Sequence, residues 1–207
     1  LAFILAEELQ QRETRKLARD DFLTFVRTMW PSFIEGAHHR KMSQTFNRIA
    51  RGELKRVIIN MGPRHSKSEM SSYMLPSWLL GLKPDLKIIQ ATHTGELAVR
   101  FGRKIRDLVD TEEYKRIFEN VALRADSKAA GRWETSKGGE YFAAGVGGAI
   151  TGRGADVLII DDPHSEQDAM SETAMESAYE WYTSGPRQRL QPGGTIILVM
   201  TRWSKKD

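Results

Sequence analysis

Val57-Ile58-Ile59-Asn60-Met61-Gly62-Pro63-Arg64-His65-Ser66-Lys67-Ser68 is the stretch on which the fold turns. A β-branched apolar run stops at a Gly-Pro turn, and Lys-Ser then opens a segment, Glu69 to Leu80, of helical composition. A strand that ends in a loop and feeds a helix gathers backbone N–H groups and a positive helix end in one place, which is how phosphates are held. The usual pattern is G-x-x-x-x-G-K-[ST]: glycines let the backbone wrap the phosphates, the lysine reaches the β/γ oxygens and the hydroxyl holds Mg²⁺. Lys67 and Ser68 fit it, whereas Met61 and Ser66 stand at the two glycine positions and Gly62 comes one place late. The candidate phosphate contacts are Gly62, Pro63, Arg64, His65, Ser66, Lys67 and Ser68, with Ser68 also a candidate for Mg²⁺.

Val157-Leu158-Ile159-Ile160-Asp161-Asp162-Pro163 is a second apolar run, and it ends in two carboxylates. Downstream of a phosphate loop, such a pair supplies the Mg²⁺ ligand, Asp161, and the acid that orients attacking water, Asp162. Taken alone it also reads as an Asp-Asp-Pro turn. Thr195–Met200 is a third buried strand, ending on Thr201-Arg202-Trp203. In an open parallel sheet the C-terminal strand ends line the ligand crevice, so Lys67, Asp161, Asp162 and Thr201 are expected to converge on one nucleoside triphosphate.

The rest of the chain alternates around these strands. Residues 1–19 read as a helix with Arg12, Arg15, Lys16 and Arg19 on one face, either a solvated face or a phosphate-backbone contact. Further helices are expected with Phe22, Phe25, Val26 and Met29 buried, and from His39 to Arg51. Residues 1–54 thus form a helical region packed on a core of residues 55–207. Phe33, His39 and Gln44 are candidates to hold a nucleotide base. Val57-Ile58-Ile59, being continuous, suits burial on both faces. The helix from Lys67 should stop at Gly81, Leu86–Ala91 should be a strand, and Thr94–Val109 a helix facing inward through Leu97, Phe101, Ile105 and Leu108. Arg100, Arg103 and Lys104 decorate its polar side, and Glu112–Phe118 continues as helix. Strand and helix in alternation imply parallel pairing.

Arg132–Thr135 and Glu140–Ala144 alternate in polarity and predict a hairpin turning at Lys137-Gly138-Gly139. The glycines from Gly145 to Gly154 precede a strand and not a helix, which excludes a dinucleotide fingerprint and leaves a mobile loop carrying Arg153. Ser165–Met170 and Ser171–Tyr182 read as helical, with Met175, Ala178, Tyr179 and Tyr182 inward. Gln191-Pro192-Gly193-Gly194 reads as a turn.

With 207 residues, 40% apolar and 28% charged, the chain reads as one soluble domain with a real core. Its apolar runs are too short to cross a bilayer. Leu1–Ala6 meets Glu7-Glu8 at once and reads as a helix start rather than a signal peptide. The lack of cysteine excludes a disulfide framework, a thiolate zinc site and a cysteine nucleophile, and fits a cytosolic protein. A net charge of +4 permits a polyanionic partner without demanding one.

Pro63-Arg64-His65-Ser66-Lys67-Ser68-Glu69, the segment from Ala91 to Arg106, the run from Thr151 to Pro163 and the terminal Thr201-Arg202-Trp203 together resemble the large terminase subunit of tailed bacteriophages. The likeness runs from about His39 to the end of the chain. It implies an α/β P-loop NTPase of the RecA/ASCE-like type: a central, mainly parallel sheet flanked by helices, with an N-terminal helical extension. It also implies an ATPase that uses ATP and Mg²⁺ to drive double-stranded DNA into a procapsid. Such an enzyme works as a homo-oligomeric ring with the portal protein and small terminase subunit, in the cytoplasm of the infected bacterial host.

By the same resemblance Lys67 binds the β/γ-phosphates and Arg64 senses or stabilises the γ-phosphate. Asp161 is the Walker B aspartate, and Asp162 the water-activating acid, where many relatives carry glutamate. Thr201 lies in the coupling motif, and Arg153 is similar in placement to an arginine proposed to act in trans. Relatives carry a C-terminal nuclease domain of the RNase H type; no acidic cluster other than Asp161-Asp162 is present, so nuclease activity is not expected of these residues. Two further readings use the same features. One is a helicase-like translocase; the other is a non-hydrolysing DNA-binding or assembly module, motivated by the missing glycines and the basic face at Arg12–Arg19.

Overall fold

The computed structural model describes residues 2–150 and 152–205. Leu1 and Thr151, which belong to the helix at 1–19 and to the run at 151–163, lie outside them. Seven strands form one sheet in the order β1-β7-β6-β2-β5-β4-β3. Their ranges are β1 Arg56–Asn60, β2 Lys87–Thr92, β3 Leu123–Ala129, β4 Arg132–Thr135, β5 Glu140–Gly145, β6 Ala155–Asp161 and β7 Leu190–Met200. From β1 to β5 the pairing is parallel; β4 and β3 are added antiparallel. The expected hairpin is therefore β4–β5. Its turn is closed by Thr135, whose hydroxyl accepts N–H bonds from Lys137 and Gly139 and donates to the Pro84 carbonyl. The added strand β3 escaped the sequence reading because Leu-Arg-Ala-Asp-Ser-Lys-Ala is polar, as an outer strand can be.

The helices are α1 Ala2–Asp20, α2 Phe22–Met29, α3 Ala37–Ala50, α4 Leu75–Leu82, α5 Gly95–Val109, α6 Glu112–Ile117 and α7 Glu172–Ser184. Asp21, Thr94, Thr111 and Ser171 cap four of them through side-chain oxygens that accept a backbone N–H three residues on. Between the loop at 61–68 and α4 runs a π-helical segment, Glu69–Met74. The helix passes Gly81 by one residue, to Leu82; a Cβ at Gly81 would sit 2.5 Å from the Phe118 ring, so packing, not termination, explains that glycine.

Alternation along the strands divides the core. Val57, Ile59, Ile197, Val199, Val157, Ile159 and Ile88 pack with Phe22, Phe46, Trp78, Ile105 and Tyr114. The N-terminal helices are thereby built into the sheet's cover: Trp78 Nε1 donates to the Ala18 carbonyl (3.0 Å) and Tyr114 Oη to the Ser77 carbonyl (2.7 Å). On the other face Ile89, Ala91, Leu158, Ile160 and Ile196 lie with Ile150, Trp181 and Tyr182.

Several expectations are corrected. β1 is an edge strand, and Ile58 is 68% exposed; a β-branched run states that a residue suits a strand, not how many neighbours the strand has. Of the α7 residues expected inside, only Ala178 is buried, and Tyr179 is 60% exposed. Gln191–Gly194 is no terminal turn but part of β7. The pairing jumps from Ala155↔Leu190 to Val157↔Thr195, so the strand bulges there, with Gly193 at φ +79°. The glycine-rich segment is not a free loop but a crossover on the sheet: Ile150 is buried, Val146 N–H bonds the Thr92 carbonyl, and Trp181 Nε1 donates to the Gly148 carbonyl (2.9 Å). Of the helix expected at 165–170, only a 3₁₀ turn, Asp168–Met170, forms.

Candidate nucleotide site

β1, β7 and β6 are neighbours, so the residues after each of these strands meet at one edge of the sheet. Met61 N–H bonds the Met200 carbonyl, tying the loop after β1 to the end of β7. Lys67 Nζ lies 2.7 Å from Asp162 Oδ2, and Asp162 Oδ1 accepts the Thr201 N–H at 2.6 Å. Ser68 Oγ donates to Asp161 Oδ1 (3.1 Å) and Ser72 Oγ to Asp161 Oδ2 (2.7 Å). Lys67 and Thr201 thus meet on Asp162, and Ser68 and Ser72 on the adjoining Asp161, so residues from positions far apart in the chain share one site.

Asp161 and Lys67 are both buried. Burial raises the Asp161 carboxyl from its ordinary 3.8 to about 6; the neighbouring Asp162 charge adds to this, and the Ser72 and Ser68 hydroxyls and Lys67 oppose it. Among the described residues, three that are not glycine have left-handed backbones, Arg64 (φ 62°), Ser66 (φ 59°) and Asp162 (φ 42°), and all three are in this site. Ser66 stands where the generic loop has glycine, and the backbone there has the shape glycine takes freely.

The other candidates fall into two groups. Gly62, Pro63, Arg64 and His65 are exposed, and the His65 Nδ1 lies 2.8 Å from the Pro63 carbonyl oxygen. The His65 ring neighbours His38 (centroids 5.7 Å), His38 neighbours His39 (3.8 Å), and His39 neighbours Phe33 (4.8 Å), so a line of rings runs from the loop through His38 to two of the three base candidates. His39 is occupied locally: its Nδ1 accepts the Gly36 N–H at 2.9 Å, and burial lowers its pKa. Gln44 is exposed on α3. Of the cations singled out, Arg12, Lys16, Arg19, Arg100 and Arg103 are exposed, whereas Lys104 pairs with Glu69 (2.6 Å) over the Tyr73 ring.

Arg153 lies elsewhere. It pairs with Glu140 and stacks over Phe142 at 4.4 Å. Glu140 opens β5 and Arg153 precedes β6, so both sit at the N-terminal edge of the parallel sheet. Asp161 closes β6, a strand of 7 residues, which puts it about 20 Å from that edge at strand rise.

Sequence reasoning missed Ser72, although its place four residues after Ser68 was the available signal. An apolar groove of about 370 Å³ between β1 and α7, lined among others by Ile58, Leu198, Tyr179 and Tyr182, contains none of the cluster. Among the described residues no group of three or more His, Asp or Glu is arranged to hold a metal alone. The cluster does offer a hydroxyl and a carboxylate side by side. Hard oxygen donors of this kind suit Mg²⁺, which commonly takes one or two carboxylates and completes its shell with water and substrate phosphates.

No family model and no curated protein sequence matches the chain. Among solved structures, the crystal structure of the HK97 bacteriophage large terminase is similar to it, with a TM-score of 0.51 at 12% identity over 82% of this chain. The match takes in 34% of that protein, so the chain spans about a third of its length. At that identity the likeness concerns the fold: a mixed α/β arrangement whose seven-stranded, mostly parallel sheet is flanked by helices, compatible with a terminase-like fold.

Proposed function

We propose that the chain is the ATPase part of a viral DNA-packaging motor, a P-loop NTPase that hydrolyses ATP with Mg²⁺ to move double-stranded DNA into a procapsid. The observation that carries this reading is the meeting of Lys67, Ser68, Asp161, Asp162 and Thr201, through contacts on two adjacent carboxylates, at three adjacent strand ends. In it, Lys67 and the backbone of residues 62–68 bind the phosphates, and Arg64, exposed on the same loop, faces the γ end. Ser68 and Asp161 hold Mg²⁺, which when bound neutralises charge on the phosphates. Asp162 orients the attacking water and takes up its proton. It is already aimed by the Thr201 N–H, and it gives up Lys67 when phosphate arrives.

The likeness of fold to a phage large terminase, and the resemblance of the motifs in their order, support packaging over other uses of the same chemistry. In this reading the partners are double-stranded DNA, the portal protein, the small terminase subunit and further copies of the chain in a ring, within the host cytoplasm. A trans role for Arg153 requires it to release Glu140. ATP turnover measured on the chain and on Lys67→Ala tests the proposal: the variant should keep its fold and lose hydrolysis, and unaltered turnover would refute it. In mixed assemblies, Lys67→Ala and Arg153→Ala chains should partly restore each other if the arginine acts on a neighbour. Duplex unwinding would point to a helicase instead, and nucleotide binding without turnover to a non-hydrolysing module.

A further inference from the structure

We infer that Ser72, on the π-helical segment after the loop, is the residue that positions the Asp161 carboxylate for a divalent cation. The inference rests on the nucleotide reading of the site. Asp161 is buried, and each of its oxygens takes one hydroxyl: Oδ1 from Ser68 and Oδ2 from Ser72. The two serines stand four residues apart, and the π-helical segment Glu69–Met74 carries the second of them. Insertions of this kind occur mostly at functional sites, because a widened turn re-aims side chains that a regular helix would set elsewhere.

The two hydroxyls differ in what they are free to do. Ser68 follows Lys67 directly and is the hydroxyl that would turn to the cation, so its bond to Asp161 is given up when the site fills. Ser72 has no exposure and makes the shorter bond. It therefore keeps hold of Oδ2 and leaves Oδ1 directed at the position Ser68 vacates. A buried carboxylate without such an anchor would rotate, and its order would have to be restored at each binding event. Ser71, next to it and equally buried, has a hydroxyl with no hydrogen-bond partner and so no bond to Asp161, which makes it a matched control.

The test is binding of a fluorescent ATP analogue, titrated with Mg²⁺ from a chelator-stripped start, on the whole chain and its variants. Ser72→Ala should need roughly tenfold more Mg²⁺ or greater for half-saturation, the size expected for losing a hydrogen bond to a charged group. Its affinity for the analogue in excess chelator should be unchanged. Ser72→Thr should restore the wild-type midpoint, and Ser71→Ala should keep it. Circular dichroism reports whether Ser72→Ala folds; if it does not, Ser72→Cys, of similar volume and weaker donor strength, should give an intermediate shift. A Mg²⁺ midpoint for the folded Ser72 variant within twofold of wild type, or an equal shift in Ser71→Ala, overturns the inference while leaving the nucleotide site standing. A wild-type chain that binds the analogue without regard to Mg²⁺ overturns the inference alone, and one that binds no analogue overturns both.

Discussion

Replacing Asp161 by asparagine should make the protein more stable at neutral pH while removing the carboxylate that the proposed function assigns to Mg²⁺. Asp161 is 2% exposed, and burial is the largest cause that lifts its carboxyl from 3.8 to about 6. That difference is about two pKa units, or about 3 kcal/mol at 1.36 kcal/mol per unit. The sign comes from proton counting. Between pH 3.8 and about 6 the unfolded chain has lost this proton while the folded chain keeps it, so stability falls as pH rises through that window and stays lower above it. The Asp161→Asn side chain would carry no charge at any pH, and its amide can still pair with the Ser68 and Ser72 hydroxyls.

Urea unfolding of both proteins at intervals from pH 4 to pH 8 checks this. The variant's advantage should grow by about 2 kcal/mol between pH 4 and pH 6.5 and then level off, the remainder having been lost below pH 4 as the unfolded carboxyl ionises. Carboxylates such as Glu35 and Glu53, held low by neighbouring arginines, titrate alike in both proteins and cancel in the difference. A difference that does not change with pH would refute the assignment of the strained charge to Asp161. If the growth appears, the chain keeps a carboxylate that weakens its own fold, as expected of a group retained for a ligand.

Two substitutions test the backbone and packing account. Ser66→Gly should stabilise by about 0.5–1 kcal/mol, since a left-handed backbone costs a serine about 1–2 kcal/mol and glycine gives part of that back in entropy; a lower denaturant midpoint would show that the Ser66 side chain holds the loop. Gly102→Ala should destabilise by about 1–2 kcal/mol even though alanine favours helix, because its Cβ would lie 2.5 Å from the Ala130 carbonyl oxygen and 2.7 Å from the Tyr141 ring. Stabilisation in the same urea measurement would mean that α5 can lift off β5 without cost.

The strand ends were legible because the signal is local: a β-branched run and the polar residues that stop it are neighbours in sequence. What was not legible depends on partners far along the chain. Val57-Ile58-Ile59 looks the same whether its strand is central or at an edge, and only the order β1-β7-β6 exposes Ile58. Pro192-Gly193-Gly194 carries turn chemistry that is used, but inside a bulge, because Ala155 and Val157 fix β7 on either side of it. Arg153 looked poised on a mobile loop since glycines mark freedom; the loop is a crossover, and Ile150 and Glu140 fasten it at places no short motif reveals. Ser72 offered only its spacing from Ser68, and that spacing gains meaning once the carboxylate it meets, 89 positions on, is known.

The concentration of strain at one point has a physical reading beyond the individual residues. Arg64, Ser66 and Asp162 are the non-glycine residues with positive φ among the described ones, a conformation that costs free energy at each. Their conformations persist because rigid neighbours impose them. Lys67 is buried between Ser66 and the carboxylate of Asp162, and Asp162 is held through its backbone N–H to Val199 and its Oδ1 to the Thr201 N–H. β7 lies between β1 and β6, so it supports the loop through Met200 on one side and Asp162 on the other. A polyanion that draws Lys67 away from Asp162 changes the load on both sides of that strand at once. The loop, the acid and the end of β7 would then settle together, and under the proposed function this shared support would carry an event at a phosphate to the strand end without any longer route.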